Sequence, residues 1–211
     1  MQSLKLYIDD LHETLDLLPI HLVDELVSIL QEARINRRQV FIMGNGGSAS
    51  TASHFVADLA KNTRWNSLPD FKVLGLTDNM AIFSAYANDE GYENVFAQQL
   101  ASFVRPNDIV IAISASGNSK NVLQATRLAN QVRACTIGMT GFDGGLLGPM
   151  VDLHINVPCN IIEQVEDLHL IIEHMVVKTL REMAKEVETG REQYKQNPGI
   201  NQEEFQVIIG Q

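Results

Sequence analysis

His54 and Asp58 stand four residues apart within "SHFVADL". On a helix that spacing puts an imidazole and a carboxylate on one face, one turn apart. A second grouping lies far downstream in "VEDLHLIIEHM". There Glu166 and His174 are eight residues apart and share a face approximately, with His169 between them in sequence. Two imidazole nitrogens and two carboxylate oxygens form a plausible ligand set for Zn2+. Spacing alone leaves the ordinary alternative open, because a helical histidine is more often a satisfied structural residue than a ligand.

Upstream of each grouping or beside it runs a loop of one kind. "FIM" leads into "GNGGSAS" (Gly44 to Ser50), and "VIAIS" leads into "ASGNSKN" (Ala115 to Asn121). Gly permits close backbone approach, exposed N–H groups at a helix start favour anions, and Ser hydroxyls add neutral donors. Either loop alone is common turn chemistry. As a pair leaving the carboxyl ends of two strands, they suit a small phosphorylated ligand. Neither is GxGxxG and neither contains GK[ST], which argues against a dinucleotide or a nucleoside triphosphate.

These residues need a scaffold that brings both loops to one edge. Short apolar runs at 39–43, 71–77, 108–114, 134–140 and 152–157 read as strands. Helical patterns fall at 48–62, 79–87, 92–103, 119–131 and 161–186. Strands alternating with helices predict an α/β fold, a three-layer αβα sandwich on a parallel five-stranded sheet of flavodoxin-like order. Two helices at 3–17 and 19–35 precede the sheet, with Ile20, Val23, Val27 and Leu30 on one stripe and Pro19 in a first-turn position. That stripe packs either on its own domain or against another subunit. Residues 1–186 are expected to form one domain, and 187–211 a polar tail or a segment that docks through Phe205, Val207, Ile208 and Ile209.

Composition narrows the class. The chain has 211 residues and a formal charge of −10, which argues against general nucleic-acid binding because phosphate backbones need a basic footprint. The two cysteines, Cys135 and Cys159, have no CxxC spacing and read as reduced thiols. The first residues, "MQSLKLYIDDLHETLDLL", lack the basic start and apolar block of a signal peptide, and no apolar run suits a membrane span. A cytoplasmic protein without a membrane or nucleic-acid partner is the expectation.

"GNGGSAS" followed by "HFVADL", then "AISASGNSKNV", "TGFDGG" and "EDLHLIIEH", in this order, resemble the sugar isomerase (SIS) domain family, and within it the phosphoheptose isomerases. The resemblance implies an aldose–ketose isomerase that converts sedoheptulose 7-phosphate to D-glycero-D-manno-heptose 7-phosphate through an enediol(ate). It also implies a homotetramer with sites between subunits. It places Zn2+ on His54, Asp58, Glu166 and His174, and catalysis on Asp58 as base, His174 as acid–base partner and Glu166 as ligand or second base. In the family, Asp58 is Glu and Glu166 is Gln. Substrate contacts are implied at Asn45, Gly46, Gly47, Ser48, Asn88 and Asp89, and a phosphate cradle at Ser114, Ala115, Ser116 and Ser119, where Ala115 replaces the usual Thr. Other SIS proteins set out the alternatives: a non-catalytic partner of a replication initiator, a sugar-phosphate sensor, or an isomerase of another sugar phosphate. The first lacks the paired histidines, which this chain keeps.

Overall fold

The computed structural model describes residues 2–66 and 68–196. Five parallel strands form one sheet in the order β2-β1-β3-β4-β5: β1 (Gln39–Gly44), β2 (Lys72–Gly75), β3 (Ile109–Ile113), β4 (Cys135–Thr140) and β5 (Leu153–Asn156). This is the flavodoxin-like order expected from the alternation of strands and helices. The central strands are buried beyond their first residues, Gln39 and Cys135 being half-buried, because helices cover both faces and leave no polar side to show to water.

The period-two alternation of each strand divides the interior into two cores. Val40, Ile42, Ile109, Ile111 and Ile113 face one side, against helices α2 (Ile20–Ile35), α3 (Gly47–Ala57) and α7 (Ile162–Gln196). Phe41, Met43, Val110 and Ala112 face the other, against α5 (Val95–Ala101) and α6 (Lys120–Val132). Most of the α2 stripe is spent on this chain's own core, where Val23, Val27 and Leu30 are buried together with Leu26, while Ile20 at its start is exposed. The preceding α1 (Gln2–Asp16) is tied down more lightly, by Leu11 and Leu15, by the Tyr7 hydroxyl on Asp167, and by the Gln164 amide on the Tyr7 carbonyl.

Three elements differ from the sequence expectation. The helix predicted over 48–62 is α-helical only to Ala57 and continues as a π-turn over Asp58–Asn62. The pattern predicted over 92–103 divides into a short 3-10 turn, Tyr92–Asn94, and α5, while α4 (Met80–Asp89) precedes it. The last helix, expected to end at 186, runs on to Gln196, so residues 187–196 continue α7. They are mostly Glu, Gln, Lys and Arg, which favour helix without needing a core. The docking segment proposed around Phe205 to Ile209 lies outside the described residues.

Candidate active site

β1 and β3 are neighbours in register, with Gly44 opposite Ile113, so the two Gly/Ser/Asn loops leave the sheet side by side. They do so where the strand order reverses, the usual ligand crevice of an open α/β sheet. The first loop turns tightly enough that a Cβ on Gly44 would come within 2.6 Å of the Ser48 carbonyl oxygen. Asn45 does not hang free in the crevice. Its amide donates to Asn121 Oδ1 at 2.8 Å, and the Asn121 amide donates back to Asn45 Oδ1 at 2.9 Å. Tyr92 adds its hydroxyl to the same Asn45 oxygen at 2.9 Å. In the second loop the Ser114 hydroxyl donates to Ser119 Oγ at 3.2 Å, and the backbone N–H of Asn118 donates to Ser116 Oγ. Ser114 and Ala115 are buried beneath the loop, while Ser116 is exposed.

α3 starts at this loop and packs along α7. Glu166 of α7 lies against Gly47, so close that a Cβ there would overlap its carboxylate. Further along, the His54 and His174 rings meet edge to face, with Nε2 atoms 3.4 Å apart and centroids 5.0 Å apart. The two helices therefore run side by side in the same direction. The end of α3 carries the reactive groups. Asp58 opens the π-turn, and its Oδ2 is 3.8 Å from His54 Nε2. Asn62, at the far end of that turn, donates its amide to Asp58 Oδ1 at 2.6 Å. The connection that follows is pinned by the buried Arg34, which donates to the carbonyls of Thr63 and Pro69 and lies over the Phe71 ring.

A fourth group completes the cluster. Glu173 Oε2 is 3.3 Å from His174 Nε2, and donor atoms of His54, Asp58, Glu173 and His174 all lie within 4.8 Å of one another. The imidazoles are about half exposed, at 45% and 51%, whereas Glu173 is 0% exposed, so the cluster is a cup floored by a carboxylate. Neither Glu173 oxygen has a hydrogen-bond partner. Burial first, then the neighbouring Asp58 charge, pushes its carboxyl up to about 8. A divalent cation fits this donor set, because two carboxylates and two imidazoles converge and neither Glu173 oxygen has a protein donor.

The arrangement brings His54, Asp58 and His174 together but leaves Glu166 apart. Eight residues of helix carry it about 12 Å back from His174, level with the first loop. Asn45, Gly46, Gly47, Ser48, Ser114, Ala115, Ser116 and Ser119 all fall in the paired loops at the strand ends. Asn88 and Asp89 do not reach the loops through any contact of their own. They lie exposed at the end of α4, where the Asn88 amide donates to Asp89 at 2.7 Å, and Tyr92 makes the contact from that segment. Sequence reasoning missed Glu173, Asn62, Asn121 and Tyr92. Only Glu173 left a signal: a carboxylate on the apolar stripe of α7, in step with His169, Val176 and Leu180.

Set beside known proteins, residues 7–141 match the SIS domain family. The phosphoheptose isomerase of Geotalea daltonii is 39% identical over 157 residues, which make up 74% of this chain and 80% of that protein. Among solved structures, a phosphoheptose isomerase from Neisseria gonorrhoeae superposes with a TM-score of 0.78 at 25% identity, over 85% of this chain and 97% of that one. One from Francisella tularensis gives 0.77 at 28% identity, over 86% and 97%.

Proposed function

The chain belongs to the SIS domain family, among its phosphoheptose isomerases, and from that premise we propose that it interconverts sedoheptulose 7-phosphate and D-glycero-D-manno-heptose 7-phosphate. It is an aldose–ketose isomerase of a sugar phosphate. One observation carries the assignment: the first of the two loops suited to a phosphate opens α3, whose far end meets the parallel α7 in the cluster of His54, Asp58 and His174.

The reaction moves a proton between C1 and C2 through an enediol(ate), and needs a base, an acid and a stabiliser of the developing oxyanion. Asp58 is the base. Asn62 holds its Oδ1, which fixes the carboxylate and leaves Oδ2 on the His54 side. Asp58 takes the proton from one carbon and returns it to its neighbour, while His174, half exposed and across from His54, moves the hydroxyl proton between the C1 and C2 oxygens. The hydroxyls of Ser114, Ser116 and Ser119 take the phosphate with the N–H groups that open α6, so that binding energy from the distal end of the sugar positions the reacting carbons. Ala115 supplies no hydroxyl, and the second loop does this with its serines alone. His54, Asp58 and His174 would hold a divalent cation, Zn2+ in this reading, and the bound ion would polarise the C1 or C2 oxygen.

The assembly in this reading is a homotetramer, supported by exposed Leu4, Leu6 and Ile8 on α1, at 72%, 58% and 49%. No described helix is long and apolar enough to cross a membrane, and we read the enzyme as cytoplasmic. The test is direct. The metal-loaded protein is presented with sedoheptulose 7-phosphate and aldose formation is followed. Turnover supports the assignment, and its absence removes this substrate.

A further inference from the structure

The serines of the second loop do not hold their own shape. A backing loop, residues 141–148, runs beside them. The Gly141 N–H donates to the Ala115 carbonyl at 2.8 Å, and the Leu147 N–H to the Gly117 carbonyl at 2.9 Å. The Leu146 N–H donates to Asn118 Oδ1 at 3.2 Å, while the Asn118 amide turns back onto the Ser116 carbonyl at 2.8 Å. Between these bonds the two backbones touch: Gly117, at φ +63°, has its Cβ direction filled by the Gly144 carbonyl. Ser114, Ser116 and Ser119 therefore stand where the backing loop sets them.

The backing loop in turn rests on one side chain, His154 of β5. A Cβ on Gly144 or on Gly148 would come within 2.6 Å of His154 Cε1, so the imidazole fills the turn that the Gly148 N–H closes on the Gly144 carbonyl at 3.0 Å. His154 Nε2 lies 2.7 Å from Thr140 Oγ1, and the Thr140 hydroxyl donates to Asn156 Oδ1 at 2.7 Å. Its single proton is used there, so the hydroxyl accepts from His154 and the ring carries its proton on Nε2. The Asn156 amide then donates to the Phe142 carbonyl at 3.3 Å. Hydrogen bonds thus run in one direction, from the ring through Thr140 and Asn156 into the backing loop, an order in which each bond polarises the next. Burial lowers the His154 pKa, which keeps the ring neutral in this role. His154 stands outside the cluster of His54, Asp58, Glu173 and His174.

We propose that His154 is a positioning residue for phosphate binding: it holds the 141–148 loop, and through it the hydroxyls of Ser114, Ser116 and Ser119. A ring packed against two glycines leaves the turn no slack. Removing the ring opens a void into which the backing loop can sink, and the serines move with it. The inference rests on the reading of the second loop as the phosphate cradle, and its test separates the two.

The test uses the full chain, stripped of metal so that phosphate reports on the cradle alone. Inorganic phosphate is the probe, titrated by phosphorus NMR. His154→Ala is expected to raise the Kd for phosphate about tenfold, the equivalent of one lost hydrogen bond. In the metal-loaded protein the same variant should raise KM for sedoheptulose 7-phosphate by a similar factor, with a smaller change in kcat. His154→Gln places an amide N–H where Nε2 was, and should bring phosphate binding back to within about threefold of the wild type. If the alanine variant fails to fold, Thr140→Val carries the test. It breaks the chain at its second link with nearly the same shape, and should also weaken phosphate binding. A folded His154→Ala protein with a lower melting temperature but wild-type phosphate affinity overturns the proposal, as do equal losses of affinity in the alanine and glutamine variants. A wild-type protein that takes up no phosphate overturns it together with the cradle reading. Phosphate affinity that depends on His154, in a protein that does not isomerise sedoheptulose 7-phosphate, would sustain the proposal and remove that substrate instead.

Discussion

Asn45 and Asn121 exchange amide hydrogen bonds across the two loops, at 2.8 and 2.9 Å, and so lock the halves of the cradle together. Asn121 is buried, and its oxygen also accepts the backbone N–H of Val122, so the pair couples the first loop to the first turn of α6. Asn121→Ala frees the Asn45 amide, leaves the Asn45 oxygen only the Tyr92 hydroxyl, and lets the loops part. We expect KM for the sugar phosphate to rise about tenfold, the equivalent of one lost hydrogen bond, with a smaller change in kcat. Steady-state kinetics check this, and a fall in kcat at constant KM would speak against it.

His174 is assigned proton transfer. His174→Ala should lower kcat by about a hundredfold to ten-thousandfold. Its metal-free fold should persist, since the ring is half exposed and contributes little to the core. Retained turnover in this variant would remove the acid–base role.

Two glycines of the first loop should respond differently to a single methyl group. Gly44→Ala drives a Cβ into the backbone of Ser48 at 2.6 Å, which cannot yield without moving the start of α3. A loss of about 1–3 kcal/mol is expected, seen as a melting temperature several degrees lower. Gly47→Ala meets only the end of the Glu166 side chain, which can swing away. That variant should melt close to the wild type yet bind the sugar phosphate more weakly, because both the loop surface and Glu166 have shifted. Thermal melts alongside KM measurements separate the two cases.

His169 sets a pH dependence of stability away from the metal cluster. Its Nε2 donates to the Thr140 carbonyl at 3.0 Å inside the core, and burial pushes its pKa down from 6.5 to about 4. The unfolded chain takes up a proton near pH 6.5 that the folded chain refuses until near pH 4. Stability is therefore intact above about pH 6.5 and falls as pH drops through that window, by up to roughly 3 kcal/mol. His169→Gln keeps a donor for Thr140 and does not titrate. The difference in stability between variant and wild type should change across pH 6.5 to 4 and be level above it.

The layered fold was legible because its signals are strong and local. The run Ile109–Ile113 is buried on both faces and reads as a central parallel strand without ambiguity, and the switch point between β1 and β3 follows from strand order. The loops were legible as a pair for the same reason: Gly and Ser clusters directly follow apolar strands. The π-turn at Asp58–Asn62 was not, since no residue type announces a one-residue widening of a helix, and Asn62 therefore went unremarked as the partner of Asp58. Glu166 was named from its approximate face with His174 and from the family resemblance, and Glu173 was not singled out because helix-face spacing sets it apart from His174. Residues 173 and 174 are adjacent and nominally point apart, yet their side chains close to 3.3 Å over the end of α3. Asn121 and Tyr92 come to Asn45 from distant segments, a contact that no local pattern encodes.

The central claim is that this cluster moves a proton between C1 and C2 of a seven-carbon sugar phosphate. The most direct measurement incubates the metal-loaded protein with sedoheptulose 7-phosphate in deuterated water and follows C1 and C2 by NMR. The account predicts a new aldose C1 signal and solvent deuterium incorporated during conversion, both abolished in His174→Ala. Unchanged ketose with no exchange in the metal-loaded wild-type protein would contradict it.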